Sequence, residues 1–251
     1  MFIAIFAAIF IGMSMAILGS GGAILTVPLL VYVFEQPEKL AIASSLLIVA
    51  VIAGFNLLPR LFNKQIDWKL AITFSIFSSL GTKLGVSLAE IAMPWLQMLL
   101  FSIITAIAAL RLITTELPTA KITINYWKVI ISAILIGITT GFVGVGGGFL
   151  IVPVLIILAN LNLASAVSSS LLIIFINAIY GFSQYQKLVV QLNLDFNWQL
   201  IGLISFFGLI GSFFAQPLGA RLPAKVVKMS FAYLLLIVSA GILLQTSVSL
   251  L

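Results

Sequence analysis

The 251-residue chain contains no cysteine and no histidine, and only six of its residues are acidic. The first two absences exclude disulfides, thiolate nucleophiles, thiol or imidazole metal ligation and imidazole proton relays. The shortage of carboxylates reaches further, because none of the six falls deep inside an apolar run. The side chains that ordinarily build a proton relay or a carboxylate sodium site within a membrane are therefore missing. No acid–base pair, activated nucleophile or metal cluster can be assembled, so catalysis finds no support and no cofactor is implied.

What is present is apolar. Hydrophobic residues make up 63% of the chain and charged residues 7%, with a mean hydropathy of +1.31. Such a composition cannot solvate a surface and reads as an integral membrane protein. The net charge of +6 is scattered over the connections without a basic stripe or an aromatic-interleaved groove, which argues against nucleic acid and for membrane lipid as the surroundings. The apolar start at Met1–Ile5 lacks a positive n-region and a cleavage site, and reads as a retained first membrane segment.

The chain repeats itself. Gly19-Ser20-Gly21-Gly22-Ala23-Ile24-Leu25-Thr26-Val27-Pro28 returns 125 residues later as Gly144-Val145-Gly146-Gly147-Gly148-Phe149-Leu150-Ile151-Val152-Pro153. At the same offset Gly12 meets Gly137 and Ala43–Leu47 meets Ser168–Leu172; after a longer loop the offset becomes 130, pairing Trp68 with Trp198 and Gly81 with Gly211. The expectation is a single membrane domain over 1–251, built of repeats 1–115 and 126–248 joined by a linker at 116–125. Each half contains an apolar segment ending at the glycine turn, a short segment after it and three full spans, in the first half at 2–18, 22–34, 40–58, 67–89 and 94–113. The 22–34 stretch reaches only about 20 Å as a helix, against a hydrocarbon core of roughly 30 Å, so a re-entrant or discontinuous helix is expected there.

Charge sets the orientation. Arg60, Lys64, Lys69, Arg111, Lys121, Lys128, Arg221, Lys225 and Lys228 fall on one face if each half crosses an odd number of times, against Lys39, Lys83 and Lys187 on the other. The positive-inside rule then puts the linker in the cytoplasm and both termini outside the cell membrane. An odd number of crossings inverts the second half relative to the first. The fold class is thus an all-α polytopic membrane protein of two inverted-topology repeats, each with a glycine-broken helix and about three full spans. Trp68, Trp95, Trp127 and Trp198 lie near span ends, where aromatic rings favour the interface.

A backbone break inside lipid persists only where protein buries it or a polar cavity wets it. The helix that follows such a break offers free N–H groups and the positive end of its dipole, an uncharged anion site of the kind that discontinuous helices build in secondary transporters. The candidate binding residues are Gly19, Ser20, Gly21 and Gly22 with Gly144, Val145, Gly146, Gly147 and Gly148, which point to a small anionic substrate bound near the midplane. Ser44 and Ser45 and their counterparts Ser169 and Ser170 add hydroxyls, balanced against the ordinary habit of membrane serines to bond their own helix. Asn177 lies two turns beyond the second pair, and Asn56 and Gln184 are further buried-looking amides. Gly12, Gly137 and Gly141, and the ladders Gly81/Gly85/Ala89 and Gly211/Ala215/Gly219, read as close helix packing. Nucleotide loops are excluded, because Ile24 and Phe149 occupy the third glycine of G-x-G-x-x-G and no Lys-Ser/Thr follows.

The doubled phrase G-x-G-G-x-x-L-x-V-P resembles the TauE/SafE family of sulfite exporters across essentially the whole chain. The family motif falls on Gly19, Gly21, Gly22, Leu25, Val27 and Pro28 and again on Gly144, Gly146, Gly147, Leu150, Val152 and Pro153. That resemblance implies transport of sulfur-containing anions such as sulfite, sulfonates or sulfoacetate across the bacterial inner membrane, usually outward. Ion- or proton-coupled uptake of a related anion, and a membrane interaction subunit without substrate, are the alternatives.

Overall fold

The computed structural model describes residues 2–19, 22–62, 65–114, 126–144, 148–219 and 222–249. Among them the secondary structure is helical: α1 (Phe2–Leu18), α2 (Ala23–Pro28, continued by a π-helical turn over Leu29–Val33), α3 (Glu38–Leu61), α4 (Trp68–Ile91), α5 (Pro94–Thr114), α6 (Tyr126–Val143), α7 (Gly148–Ile157), α8 (Leu163–Gln191), α9 (Trp198–Gly219) and α10 (Ala224–Ser249). The first-half boundaries agree with the sequence reading to within three residues. Seven of these helices are long and apolar enough to cross a membrane, while the segments Ala4–Leu18 and Ala23–Val33 are shorter.

Local chemistry explains where the helices start and stop. Asp67 caps α4 by accepting from the Leu70 amide at 3.0 Å, and Asn162 caps α8 by accepting from Ser165 at 2.9 Å. Pro28 has no N–H to donate within α2, and the π-helical turn begins at the next residue. The α1 and α6 helices each end at a left-handed glycine, Gly19 and Gly144, both with φ of 77°. Their amides bond the carbonyls of Met15 and Thr140 at 2.9 and 2.7 Å, an αL cap that an L-residue adopts only under strain.

The helices pair across the halves. α1 lies on α9 and α4 on α6; α3 packs on α8, and α5 on α10. Exchanging the halves turns each of these pairings into another of them or into itself. The seams rest on glycine: a Cβ on Gly12 would sit 1.8 Å from the Gly208 carbonyl oxygen, and one on Gly137 would sit 2.0 Å from that of Ser78. Gly81 and Gly85 face the Ile134 and Ile138 carbonyls in the same way, so these ladders hold backbones together as small residues do in lipid.

α3 and α8 form the centre. Of the apolar window of α3 78% is buried and of α8 61%, against 39–50% for the other five long helices. They run antiparallel, since a Cβ on Gly54 would reach Phe175 and one on Gly181 would reach Leu46. Around them the apolar surface is broad, with Phe10, Leu80, Leu84, Phe213, Phe214 and Ile237 all exposed. Trp68, Trp95, Trp127 and Trp198 are exposed within the first two residues of α4, α5, α6 and α9, as interfacial rings are.

Candidate functional site

Each glycine turn is seated on the other half of the protein. Gly144, which ends α6, lies against Ile42 and Ser45 of α3: the Ser45 hydroxyl is 2.8 Å from the Gly144 carbonyl oxygen and shares its proton with the carbonyl of Ile42. Gly19, which ends α1, lies against Val167 and Ser170 of α8, the repeat counterparts of Ile42 and Ser45. Ser170 donates to the Val167 carbonyl at 2.8 Å. A duplicated serine thus lies against a duplicated turn of the opposite half both times, and Ser45 bonds it.

The helix ends next to the turns are closed by two long side chains. Carbonyls in the last turn of a helix lack intrahelical partners. Arg60 Nη2 donates to the Ala16 oxygen at 2.9 Å, and the Tyr185 hydroxyl donates to the Gly141 oxygen at 2.8 Å. Both donors and both acceptors are related by the 125-residue offset. Around Arg60, Ser168 receives Nη1 at 3.4 Å and donates to Gln65 at 3.3 Å, while Ser169 accepts from the Asp67 amide at 3.0 Å. Around Tyr185, Gln97 donates to the Phe142 oxygen and accepts from Lys39 at 2.8 Å. Lys39 also donates to the Ala89 oxygen, closing the end of α4.

The two turns are not brought together. Gly144 lies level with Ile42 and Ser45 near the start of α3, and Gly19 with Val167 and Ser170 near the start of α8. Those starts are opposite ends of an antiparallel pair, so the turns stand roughly 20 Å apart along it at 1.5 Å per residue. The expectation that both converge on one midplane site concerns mainly Ser20, Gly21, Val145, Gly146 and Gly147, which lie outside the described residues. Antiparallel packing of α3 on α8 sets the separation of Gly19 from Gly144.

Asn177 lies between these ends, four residues before Gly181 and fully buried. Its oxygen accepts from Ser78 at 2.9 Å and from Ser79 at 3.3 Å, while its amide nitrogen has no partner. The Ser44 hydroxyl is likewise buried without a partner. A buried donor left open loses its desolvation energy unless something fills it. Asn56, by contrast, is fully engaged with Ile52, Ser212 and Gln216, and Gln184 is half-exposed with only Ser183 beside it, so neither is an open binding group. Gly22 serves packing, since a Cβ there would meet the Ile11 oxygen at 2.0 Å, and Gly148 opens α7. Ser20, Gly21, Val145, Gly146 and Gly147 lie outside the described residues.

Arg60, Tyr185, Gln97 and Lys39 were not read as site residues from the sequence. The available signal was polarity at repeat-equivalent positions, Arg60 and Tyr185. Together the groups form two hydrogen-bonded clusters of carbonyls, hydroxyls and cations at opposite ends of a buried helix pair.

The family model for sulfite exporter TauE/SafE matches residues 4–242. The chain belongs to the TauE/SafE family. Its TauE/SafE relatives include a probable membrane transporter protein of Xylella fastidiosa (strain Temecula1), 30% identical over 239 residues covering 92% of this chain and 90% of the relative. A probable membrane transporter protein of Haemophilus influenzae is 28% identical over 257 residues, covering 95% and 94%, and the probable membrane transporter protein YunE of Bacillus subtilis is 24% identical over 250 residues, covering 89% and 88%. No solved structure matches the chain. This TauE/SafE chain is a multi-pass membrane transporter.

Proposed function

We propose that the protein exports small sulfur-containing anions of the sulfite, sulfonate or sulfoacetate class across the bacterial inner membrane, driven by the membrane potential. The observation that carries the reading is the pair of left-handed glycine turns, Gly19 and Gly144, each packed against a serine-bearing turn of the opposite half. Backbone amides beyond those turns hold the anion at one end of the α3/α8 pair or the other, and Asn177 offers its open amide between them. An interior-negative potential favours efflux by about 2.3 kcal/mol per charge per 100 mV. No acidic side chain is needed for coupling: among the described residues Glu35, Glu38, Asp67, Glu90 and Asp195 all sit at helix ends or in connections.

We infer further that the repeats are inverted, with the linker cytoplasmic and both termini outside. Antiparallel packing of the repeat counterparts α3 and α8 supports this, because helices related by a parallel repeat would point the same way. Cysteines introduced one at a time at Lys121 and at Gln191, in a chain that has none of its own, are expected to label from opposite faces of the membrane. Labelling from the same face would refute the inversion.

The transport reading is tested in proteoliposomes with an imposed potential and a panel of sulfite, sulfate, thiosulfate, sulfoacetate and small carboxylates. The expected result is flux of sulfite or a sulfonate that reverses with the sign of the potential. Flux that follows a pH gradient at zero potential would replace it with proton coupling.

A further inference from the structure

Arg60 and Lys39 are both partly buried cations near the ends of α3, yet their surroundings differ. Lys39 is committed to closing α4, bonded to Ala89 and Gln97, with Glu38 and Glu90 in electrostatic reach. Arg60 has no such compensation. Its only described partners are the Ala16 carbonyl and, at a long 3.4 Å, the Ser168 hydroxyl, and among the described residues no carboxylate pairs with it. A guanidinium carries five N–H donors in a planar fork that matches an oxyanion, and most of these are unspent. Leaving a partly buried charge without a counter-ion is unfavourable.

The position gives that charge a use. Arg60 reaches the first turn through the Ala16 carbonyl and lies beside Ser168 of α8. Gln65, bonded to Ser168, is exposed, so a polar path runs from the aqueous edge through Gln65 and Ser168 to Arg60 and the first turn. At the other end the repeat counterpart of Arg60 is the neutral, fully buried Tyr185. We infer that Arg60, with Ser168 and Gln65, is a docking site for the oxyanion group of the substrate at the first-turn mouth, and that the transporter is thereby asymmetric, binding its anion more tightly from the Arg60 face than from the Tyr185 face. This rests on the anion-transport reading above.

The test measures uptake of labelled sulfite into inside-out and right-side-out membrane vesicles, for wild type, Arg60→Gln and Arg60→Lys. Glutamine removes the charge and ends two bonds short of the Nη2 that meets the Ala16 carbonyl; lysine keeps the charge. Arg60→Gln is expected to raise KM about tenfold from the Arg60 face, the loss of one charge-assisted contact, and to change it less than twofold from the other. Arg60→Lys is expected to stay within about threefold of wild type from both faces, and the wild-type KM at the Arg60 face is expected to rise with ionic strength while that of Arg60→Gln does not. If Arg60→Gln does not fold, the salt dependence and sidedness of wild type and Arg60→Lys decide alone: equal KM from both faces overturns the proposal. Equal KM values in a folded Arg60→Gln and wild type also overturn it and leave the transport reading standing. A wild type that moves no anion at any potential removes both.

Discussion

Gly144→Ala is expected to lose most of its transport and to melt well below wild type, because two independent penalties fall on one methyl group. The backbone there has φ of 77°, which costs an L-residue about 1–2 kcal/mol. The new Cβ would also lie 1.9 Å from Cγ2 and 2.8 Å from Cβ of Ile42. Ile42 is fully buried and branched at Cβ, so it has almost no rotamer in which to retreat. Gly19→Ala carries the same φ penalty with a milder contact, 2.9 Å to Val167 Cγ1 and 3.2 Å to Ser170 Oγ. The second turn should therefore be the more sensitive of the two, although the sequence presents them as near equals. Adding Ile42→Ala to Gly144→Ala removes the clash and leaves the φ strain, so partial recovery of the melting temperature is expected. Thermal unfolding in detergent, paired with sulfite flux, measures both parts. A Gly144→Ala protein that melts and transports like wild type would sink this account of the turn.

Gly137→Val should do more damage still, with loss of folded protein as the expected outcome. A Cβ at Gly137 would stand 2.0 Å from the Ser78 carbonyl oxygen and 2.8 Å from its carbonyl carbon and Cα. All three are backbone atoms of α4, so no side chain can swing away and the helices themselves must separate. Overpacking that merely displaces side chains typically costs about 1–3 kcal/mol; separating α4 from α6 exceeds that range, because the whole seam between the halves opens. Gly12→Val should behave alike, since its Cβ would meet the Gly208 oxygen at 1.8 Å. Gly202→Ala is the internal control. Nothing lies within 4 Å of its Cβ position in the second turn of α9, and replacing glycine by alanine within a helix gains about 1 kcal/mol. Folded yield by size-exclusion chromatography separates the cases, and a monodisperse Gly137→Val with wild-type flux would refute the seam as described.

The sequence carried the helices and the turns because both are written in local chemistry. Apolar runs of spanning length, the interfacial tryptophans and the polar connections locate the long helices, and consecutive glycines before a proline mark a break that no helix former would make. Small residues four apart identified Gly81, Gly85 and Gly137 as packing positions without indicating their partners. Individual polar residues were far less legible. Ser45 and Ser170 could not be told from serines bonded to their own helix, and they do make that bond; contact with a turn from the opposite half is added on top. Arg60 reads in sequence as one of nine loop-facing cations. Only its place beside Ala16 and Ser168, away from any described carboxylate, distinguishes it from the others.

Composition and hydropathy by themselves determined an all-helical membrane protein, because hydropathy is a property of the residues alone. Tertiary structure decided which half completes which turn, that the turns stand roughly 20 Å apart, and that Arg60 at one end is answered by Tyr185 at the other. These are matters of register between helices. A register is set by how backbones approach at Gly12 and Gly137 and by how α3 lies on α8, relations among residues far apart in the chain that no local pattern encodes.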